Sequence, residues 1–286
     1  QLQRRGIAAA CLHAGLDAVR RQQAFAHLRD ETLRLLYLAP ERLQGEATQR
    51  MLENHAESGH LVALAVDEAH CISAWGHDFR PDYLRIGALR KDLGVPLAAF
   101  TATADAETRN EIVERLFGGV KPMIFLQGFD RPNIYLAFAP KNNPRKQLLD
   151  FVNAREGQSG IVYCSSRNKC ETLAVALREV GHSALHYHAG MEKEDRRLAE
   201  TRFQREDGLI VCATIAFGMG VDKPDIRWVV HADLPKSMES YYQEIGRAGR
   251  DGATADTLTL YGADDVRLRR AQIDEGLAPA DRKEAD

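Results

Sequence analysis

Two adjacent carboxylates, Asp67 and Glu68, stand at the end of an apolar run, Leu61 to Val66. Nucleotide hydrolysis needs a carboxylate to hold Mg²⁺, often through water, and a group to orient or deprotonate the attacking water. Neighbours at a strand end can divide those tasks, because successive side chains point to opposite faces. Acid pairs also occur at helix starts and in exposed loops. Here the apolar strand ahead of the pair and His70 just after it favour chemistry. The loop from Ser73 to Arg80 then mixes Trp75, His77 and Phe79 with Arg80. Aromatic faces beside a cation can stack a nucleic-acid base at about 1–3 kcal/mol per base. Aromatics more often fill a core, but Gly76 among polar neighbours favours a loop.

Further along, TATAD, Thr101 to Asp105, follows another apolar run. Its hydroxyls could bridge the carboxylate site to a neighbouring domain, while Thr103 or Asp105 could cap the helix that follows. In QEIGRAGRDG, Gln243 to Gly252, Arg247 and Arg250 are spaced to share a face on a helical turn. Paired guanidiniums can clamp a phosphate chain. Gly246 and Gly249 permit close backbone approach and argue against an ordinary surface helix, since glycine costs about 1 kcal/mol there. CATIAFGMGVDKPD, Cys212 to Asp225, places Thr214 at a strand end. Gly218 and Gly220 then offer backbone N–H groups, and Asp222 and Lys223 offer charge. His186 and His188 alternate on a strand, but no carboxylate or cysteine has matching spacing, so a polar strand end is expected rather than a metal site. The phosphate-cradling pattern G-x-x-x-x-G-K-[ST] does not occur in the chain.

These residues need a scaffold that sets them at strand ends. Apolar runs at 33–39, 61–66, 96–100, 161–164, 185–188, 209–212, 228–232 and 257–261 read as buried strands. Amphipathic stretches at 106–116, 169–180, 193–204 and 264–273 read as helices. Alternating strands and helices imply an α/β fold of parallel sheets covered on both faces, with ligands beyond the carboxyl ends of the strands. At 286 residues the chain exceeds one typical core, and turn-rich GFDRPN, Gly128 to Asn133, marks a boundary. The expected organisation is 1–127, then 128–262, then the start of an extension at 263–286. The net charge of −3 counts against binding of nucleic acid through bulk positive charge, so any such site is expected to be a local groove. No run reaches the roughly 18 apolar residues of a membrane span. The five cysteines form no C-x-x-C pair, which supports neither a zinc ribbon nor a redox motif and fits a reducing cytoplasm. The chain opens on Gln1 rather than Met, so a fragment is expected.

Together these segments resemble the RecQ family of DNA helicases, within helicase superfamily two. The resemblance rests on DEAH at Asp67 followed directly by CISAWGHDFRP, and on TATA at Thr101. It continues through FDRPNI at Phe129, YHAG at Tyr187, FGMG at Phe217 and YYQEIGRAGRDG at Tyr241. DEAH alone would indicate only a superfamily-two helicase; the aromatic loop singles out RecQ.

The resemblance implies two RecA-like domains, the first incomplete at its N-terminus, with ATP in the cleft between them. It implies Mg-ATP-driven 3′ to 5′ movement on single-stranded DNA and unwinding at duplex junctions in repair and recombination. It also implies the bacterial cytoplasm, near the nucleoid, and no membrane. Asp67 would sit by Mg²⁺, through water, and Glu68 would be the catalytic base. His70, Thr101 and Thr103 would couple the sites. Trp75, His77, Phe79 and Arg80 would sense DNA. Arg247 and Arg250 would contact phosphates with Gln243 nearby, Asp222 would contact the nucleotide, and Ser165, Arg167 and Thr214 would contact the DNA strand. In the family the phosphate-binding loop precedes this region and a zinc-binding part often follows it. Zinc is therefore not expected here, and the chain alone is expected to be inactive. Ala74 departs from a polar residue common in bacterial members. The rival readings are an RNA helicase of the DEAH type and a non-enzymatic single-stranded DNA binding or annealing module.

Overall fold

The computed structural model describes residues 2, 5–13, 15–73, 79–126, 128, 130–218 and 221–276. It divides into two compact units, Gln1–Leu126 and Gln127–Asp286.

The first unit contains β1 (Ala9–Leu12), α1 (Ala18–Arg29), β2 (Leu35–Leu38), α2 (Glu46–Glu57), β3 (Leu64–Val66), α3 (Leu84–Leu93), β4 (Leu97–Ala99) and α4 (Ala106–Phe117). Its strands are parallel, but among the described residues they form two separate pairs, β1 with β2 and β3 with β4. The parallel pairing agrees with the expected α/β class, divided in this unit between two pairs. Each strand is only three or four residues long and pairs with a single neighbour. Large side chains here stay in solvent, including Leu35, Tyr37 and Phe100. The core lies between β3 and helices α2, α3 and α4, around Leu52, Val66, Ile72, Ile86, Leu89, Ile112 and Leu116.

The second unit is built on one six-stranded parallel sheet, in the order β5-β10-β9-β6-β8-β7. Its elements are β5 (Ile134–Pro140), α5 (Pro144–Asn153), β6 (Gly160–Tyr163), α6 (Arg167–Glu179), β7 (Ala184–Tyr187) and α7 (Lys193–Arg205). They continue with β8 (Ile210–Ala213), β9 (Trp228–His231), α8 (Met238–Ile245), β10 (Ala255–Tyr261) and α9 (Ala263–Gly276). β6, β8 and β9 are buried along their whole length. They read as continuous apolar runs because helices cover both faces. On one face Leu148 and Val152 of α5 and Cys170, Leu173 and Leu177 of α6 meet Val162, Cys212 and Trp228. On the other, Ala199 and Phe203 of α7 meet Ile161, Tyr187, Val211 and Val229. Alternation along a strand explains the division, since neighbours point to opposite faces. Local signals start the helices: Ser166 accepts from the Lys169 backbone N–H at the head of α6, and Asn143 accepts from Lys146 ahead of Pro144 at the head of α5.

Candidate functional site

In the first unit the β3–β4 ladder continues past the strands themselves. Phe100 N–H donates to Val66 O at 2.8 Å, and Ala69 N–H donates to Phe100 O at 2.9 Å. That register sets the DEAH segment beside Thr101. Asp67 and Glu68 are both exposed. The Asp67 carboxylate accepts the Glu68 N–H at 3.0 Å, and the Tyr83 hydroxyl donates to Asp67 O at 3.1 Å. Glu68 occupies the left-handed region at φ 49° and ψ 44°, a conformation that costs a non-glycine residue about 1 kcal/mol or more. The turn sends Ala69, Cys71 and Ile72 into the core and leaves the Glu68 carboxylate in solvent.

His70 joins the two segments. Its Nδ1 lies 2.9 Å from Thr101 Oγ1 and 3.4 Å from Glu68 Oε2. Thr101 Oγ1 also accepts the Thr103 N–H at 3.2 Å. Glu68, His70 and Thr101 therefore form one continuous polar chain, and Thr103 supports it through the backbone. Asp105, not Thr103, caps α4, accepting the Thr108 N–H at 2.8 Å. That backbone hydrogen bond holds the Asp105 carboxyl below the usual carboxylate range. Phe79 is half-buried and Arg80 exposed, with Arg80 N–H bonded to Cys71 O at 2.9 Å. Trp75, Gly76 and His77 lie outside the described residues.

In the second unit α8 ends at Ile245, so Arg247 and Arg250 do not share a helical face. Gly246 caps the helix, and Gly249 turns the chain at φ +57°. A Cβ on Gly249 would lie 2.5 Å from Asn133 Nδ2 and 2.7 Å from Ala253 O. The two arginines still reach one segment, the loop after β8. Arg247 Nη1 donates to Gly218 O at 2.6 Å, and Arg250 Nη1 donates to Val221 O at 3.2 Å and to Asp222 at 3.4 Å. Gly218 sits at φ +148°, a backbone region that favours glycine, and a Cβ there would displace the Arg247 guanidinium, 2.3 Å away. Arg247 Nε is buried with no hydrogen-bond partner among the described residues. Gln243 is exposed on α8, and Asp222 is exposed in its loop. Gly220 lies outside the described residues.

Several residues that hold this turn escaped the sequence reading. The Arg131 guanidinium donates to Gly246 O, Ala248 O and Gly249 O, and the Asn133 amide donates to Gly249 O and Ala253 O. Thus GFDRPN is more than a boundary turn. Glu244 points inward, 2.7 Å from the buried His231 Nε2. The His231 ring stacks on Tyr163 at 5.5 Å, and the Tyr163 hydroxyl donates to Phe217 O at 3.3 Å. Burial pushes the Tyr163 hydroxyl well above its ordinary pKa, so it stays a donor. Only the turn-rich composition of DRPN hinted at any of this.

Ser165 and Thr214 follow neighbouring strands, as Cys164 N–H donates to Ala213 O at 2.8 Å. Ser165 N–H donates to Asp233 at 3.0 Å, and Thr214 N–H to Tyr187 O at 3.2 Å. Arg167 opens α6 and packs on Gly190, where a Cβ would lie 2.8 Å from its Nη1. All three sit beyond the carboxyl ends of the strands, the ligand side of such sheets. His186 and His188 correct the spacing argument: Glu171 of α6, distant by count, is 2.9 Å from His188 Nε2.

A family profile described as "DEAD/DEAH box helicase" matches residues 1–112, and one described as "Helicase conserved C-terminal domain" matches residues 143–252. The chain is 42% identical to the ATP-dependent DNA helicase RecQ of Pasteurella multocida, over 100% of this chain and 45% of that protein. It is 44% identical to the protein of the same name from Haemophilus influenzae, over 98% of this chain and 45% of that one. It therefore spans about half the length of these curated relatives. The structure of Mycobacterium smegmatis helicase Lhr, bound to ssDNA and AMP-PNP, shares the fold with a TM-score of 0.68 at 20% identity, covering 96% of this chain and 38% of that one. With the profiles matching both units and the identity running the length of the chain, the chain belongs to the RecQ family of helicases.

Proposed function

We propose that the full-length protein is an ATP-dependent DNA helicase that moves 3′ to 5′ on single-stranded DNA. Its substrates are single-strand/duplex junctions in repair and recombination, in the bacterial cytoplasm. The observation that carries this reading is the chain from Glu68 through His70 to Thr101, which ties a solvent-facing carboxylate at a strand end to a second segment. The Asp67 carboxylate fits Mg²⁺, since it is exposed and takes only its neighbour's N–H among the described residues. When bound, Mg²⁺ neutralises charge that develops on the phosphates. Glu68 orients and deprotonates the attacking water. The left-handed backbone at Glu68 fixes where its carboxylate sits, and His70 holds it in register with Thr101. Arg247 and Arg250 supply N–H groups to phosphate oxygens, with Gln243 and Asp222 beside the nucleotide. Trp75, His77, Phe79 and Arg80 sense the DNA strand, and Ser165, Arg167 and Thr214 contact its backbone.

The names of the bacterial relatives support the choice of DNA. The bacterial relatives from Pasteurella multocida and Haemophilus influenzae both carry the name ATP-dependent DNA helicase RecQ. The test is ATP turnover by the full-length protein with single-stranded DNA, with RNA and with neither. DNA is expected to stimulate turnover, and duplexes with a 3′ single-stranded tail are expected to unwind. Stimulation by RNA alone would favour the RNA-helicase reading. DNA binding indifferent to ATP, without turnover, would favour the annealing module.

A further inference from the structure

The pair His186 and His188 gains a partner that chain spacing does not show. Their alternation along β7 directs both rings to the face covered by α6, while Tyr187 between them packs with Phe203 and Phe217 on the other face. Glu171, in the second turn of α6, reaches the same place. One nitrogen of each ring and one carboxylate oxygen of Glu171 all lie within 4.8 Å of one another. No other group of three such residues does so among the described residues. The rings stack at 5.6 Å with 20° between their planes, and His188 Nε2 is 2.9 Å from Glu171 Oε1. His188 is 6% exposed, and its Nδ1 has no hydrogen-bond partner among the described residues. An isolated buried polar atom of this kind costs about 1–3 kcal/mol. Hydrogen bonding within the protein thus uses only half of this ring.

We propose that Glu171, His186 and His188 form a binding site for a borderline divalent cation, zinc foremost. Two imidazoles and one carboxylate suit zinc in kind and number, and they leave a fourth position open to water. Zinc bonds of about 2.0–2.1 Å put tetrahedral ligand atoms roughly 3.3 Å apart, so the cluster need contract by no more than about 1.5 Å. Glu171 is exposed and His186 half-buried, and rotation of these two side chains supplies that movement while His188 stays fixed in the core. The ion braces the loop after β7 against α6. It belongs to the second unit, whereas the Asp67 carboxylate belongs to the first.

The test uses the 286-residue chain, stripped with a chelator and titrated with Zn²⁺ alone by calorimetry. Co²⁺ serves as a spectroscopic probe in parallel. The wild type is expected to bind one equivalent of either ion, to show the visible absorption of low-coordinate Co²⁺, and to melt at higher temperature with Zn²⁺. His186→Ala and Glu171→Gln are each expected to weaken Zn²⁺ binding at least about tenfold. Both should change the melting temperature without metal far less than Zn²⁺ changes that of the wild type, because Glu171 is exposed and His186 half-buried. If His186→Ala melts early even without metal, His186→Gln, which keeps the bulk without the ring, replaces it. Absence of Zn²⁺ binding by the wild type, or wild-type affinity in either variant, would overturn the site. The group would then be a hydrogen-bonded pair with a stacked ring.

Discussion

At the residue scale, Glu68 and Gly218 each sit where the backbone or its neighbours allow little freedom. Thr101 links to His70 at 2.9 Å, and a net hydrogen bond contributes about 1 kcal/mol. Thr101→Val removes the hydroxyl at constant shape. Turnover by the full-length protein should fall about fivefold to tenfold with ATP affinity unchanged, as steady-state kinetics and nucleotide titration would show. Gly218→Ala acts differently, because the new methyl collides with the Arg247 guanidinium. Any side chain at φ +148° is strained by about 1–3 kcal/mol, read as a lower urea midpoint, and displacing Arg247 should also depress turnover. His70 and Thr101 were legible as candidates because each segment is a strand end followed by polar residues, and the 2.9 Å contact between them is what the structure adds. The turn at Glu68 carried none, since nothing in its residue type favours a positive φ.

Among elements, the strands that sequence made plain are those buried on both faces, such as 161–164, 209–212 and 228–232. The edge strand β5 was less visible, because Tyr135, Leu136 and Phe138 stay exposed and its apolar residues do not form a core run. The helix expected under Arg247 and Arg250 fails for a local reason, as Gly246 and Gly249 end α8 and turn the chain. What pins that turn is remote in the chain. Arg131 bonds carbonyls 115 to 118 residues away, and no periodicity reports such a contact. Glu171 was missed beside His188 for the same reason. Hydrogen bonds to charged groups contribute about 1.5–3 kcal/mol, so Arg131→Ala should lower stability by roughly that amount. It should also reduce ATP turnover more than Arg131→Lys does, because lysine keeps the charge but not the fork. Urea titration and ATPase kinetics on both variants check this.

For the molecule as a whole, a net charge of −3 places recognition in local arrangements rather than in a basic surface. The same applies to acid stability. Asp233 is 9% exposed and bonds Lys141 at 2.8 Å, Lys169 at 2.5 Å and the Ser165 N–H. Lys141 extends the network to Asp265 of α9. Burial alone would raise the Asp233 carboxyl, but the hydrogen bonds from Lys141, Lys169 and Ser165 outweigh it and hold the group well below the usual carboxylate range. A pKa lowered by folding stabilises the protein fully above the unfolded value of about 3.9, and that stabilisation is lost as pH falls below it. Asp233→Asn should therefore cost about 3 kcal/mol near neutrality. The cost should shrink toward about pH 3 in urea titrations. An equal cost at both pH values would remove Asp233 from the acid response.

The most direct test of the account substitutes Glu68→Gln in the full-length protein and measures ATP hydrolysis in the presence of single-stranded DNA, together with nucleotide binding. The account predicts that hydrolysis falls by at least about a hundredfold, the scale of a general base, while ATP binding stays within about twofold. Turnover equal to that of the wild type would contradict it.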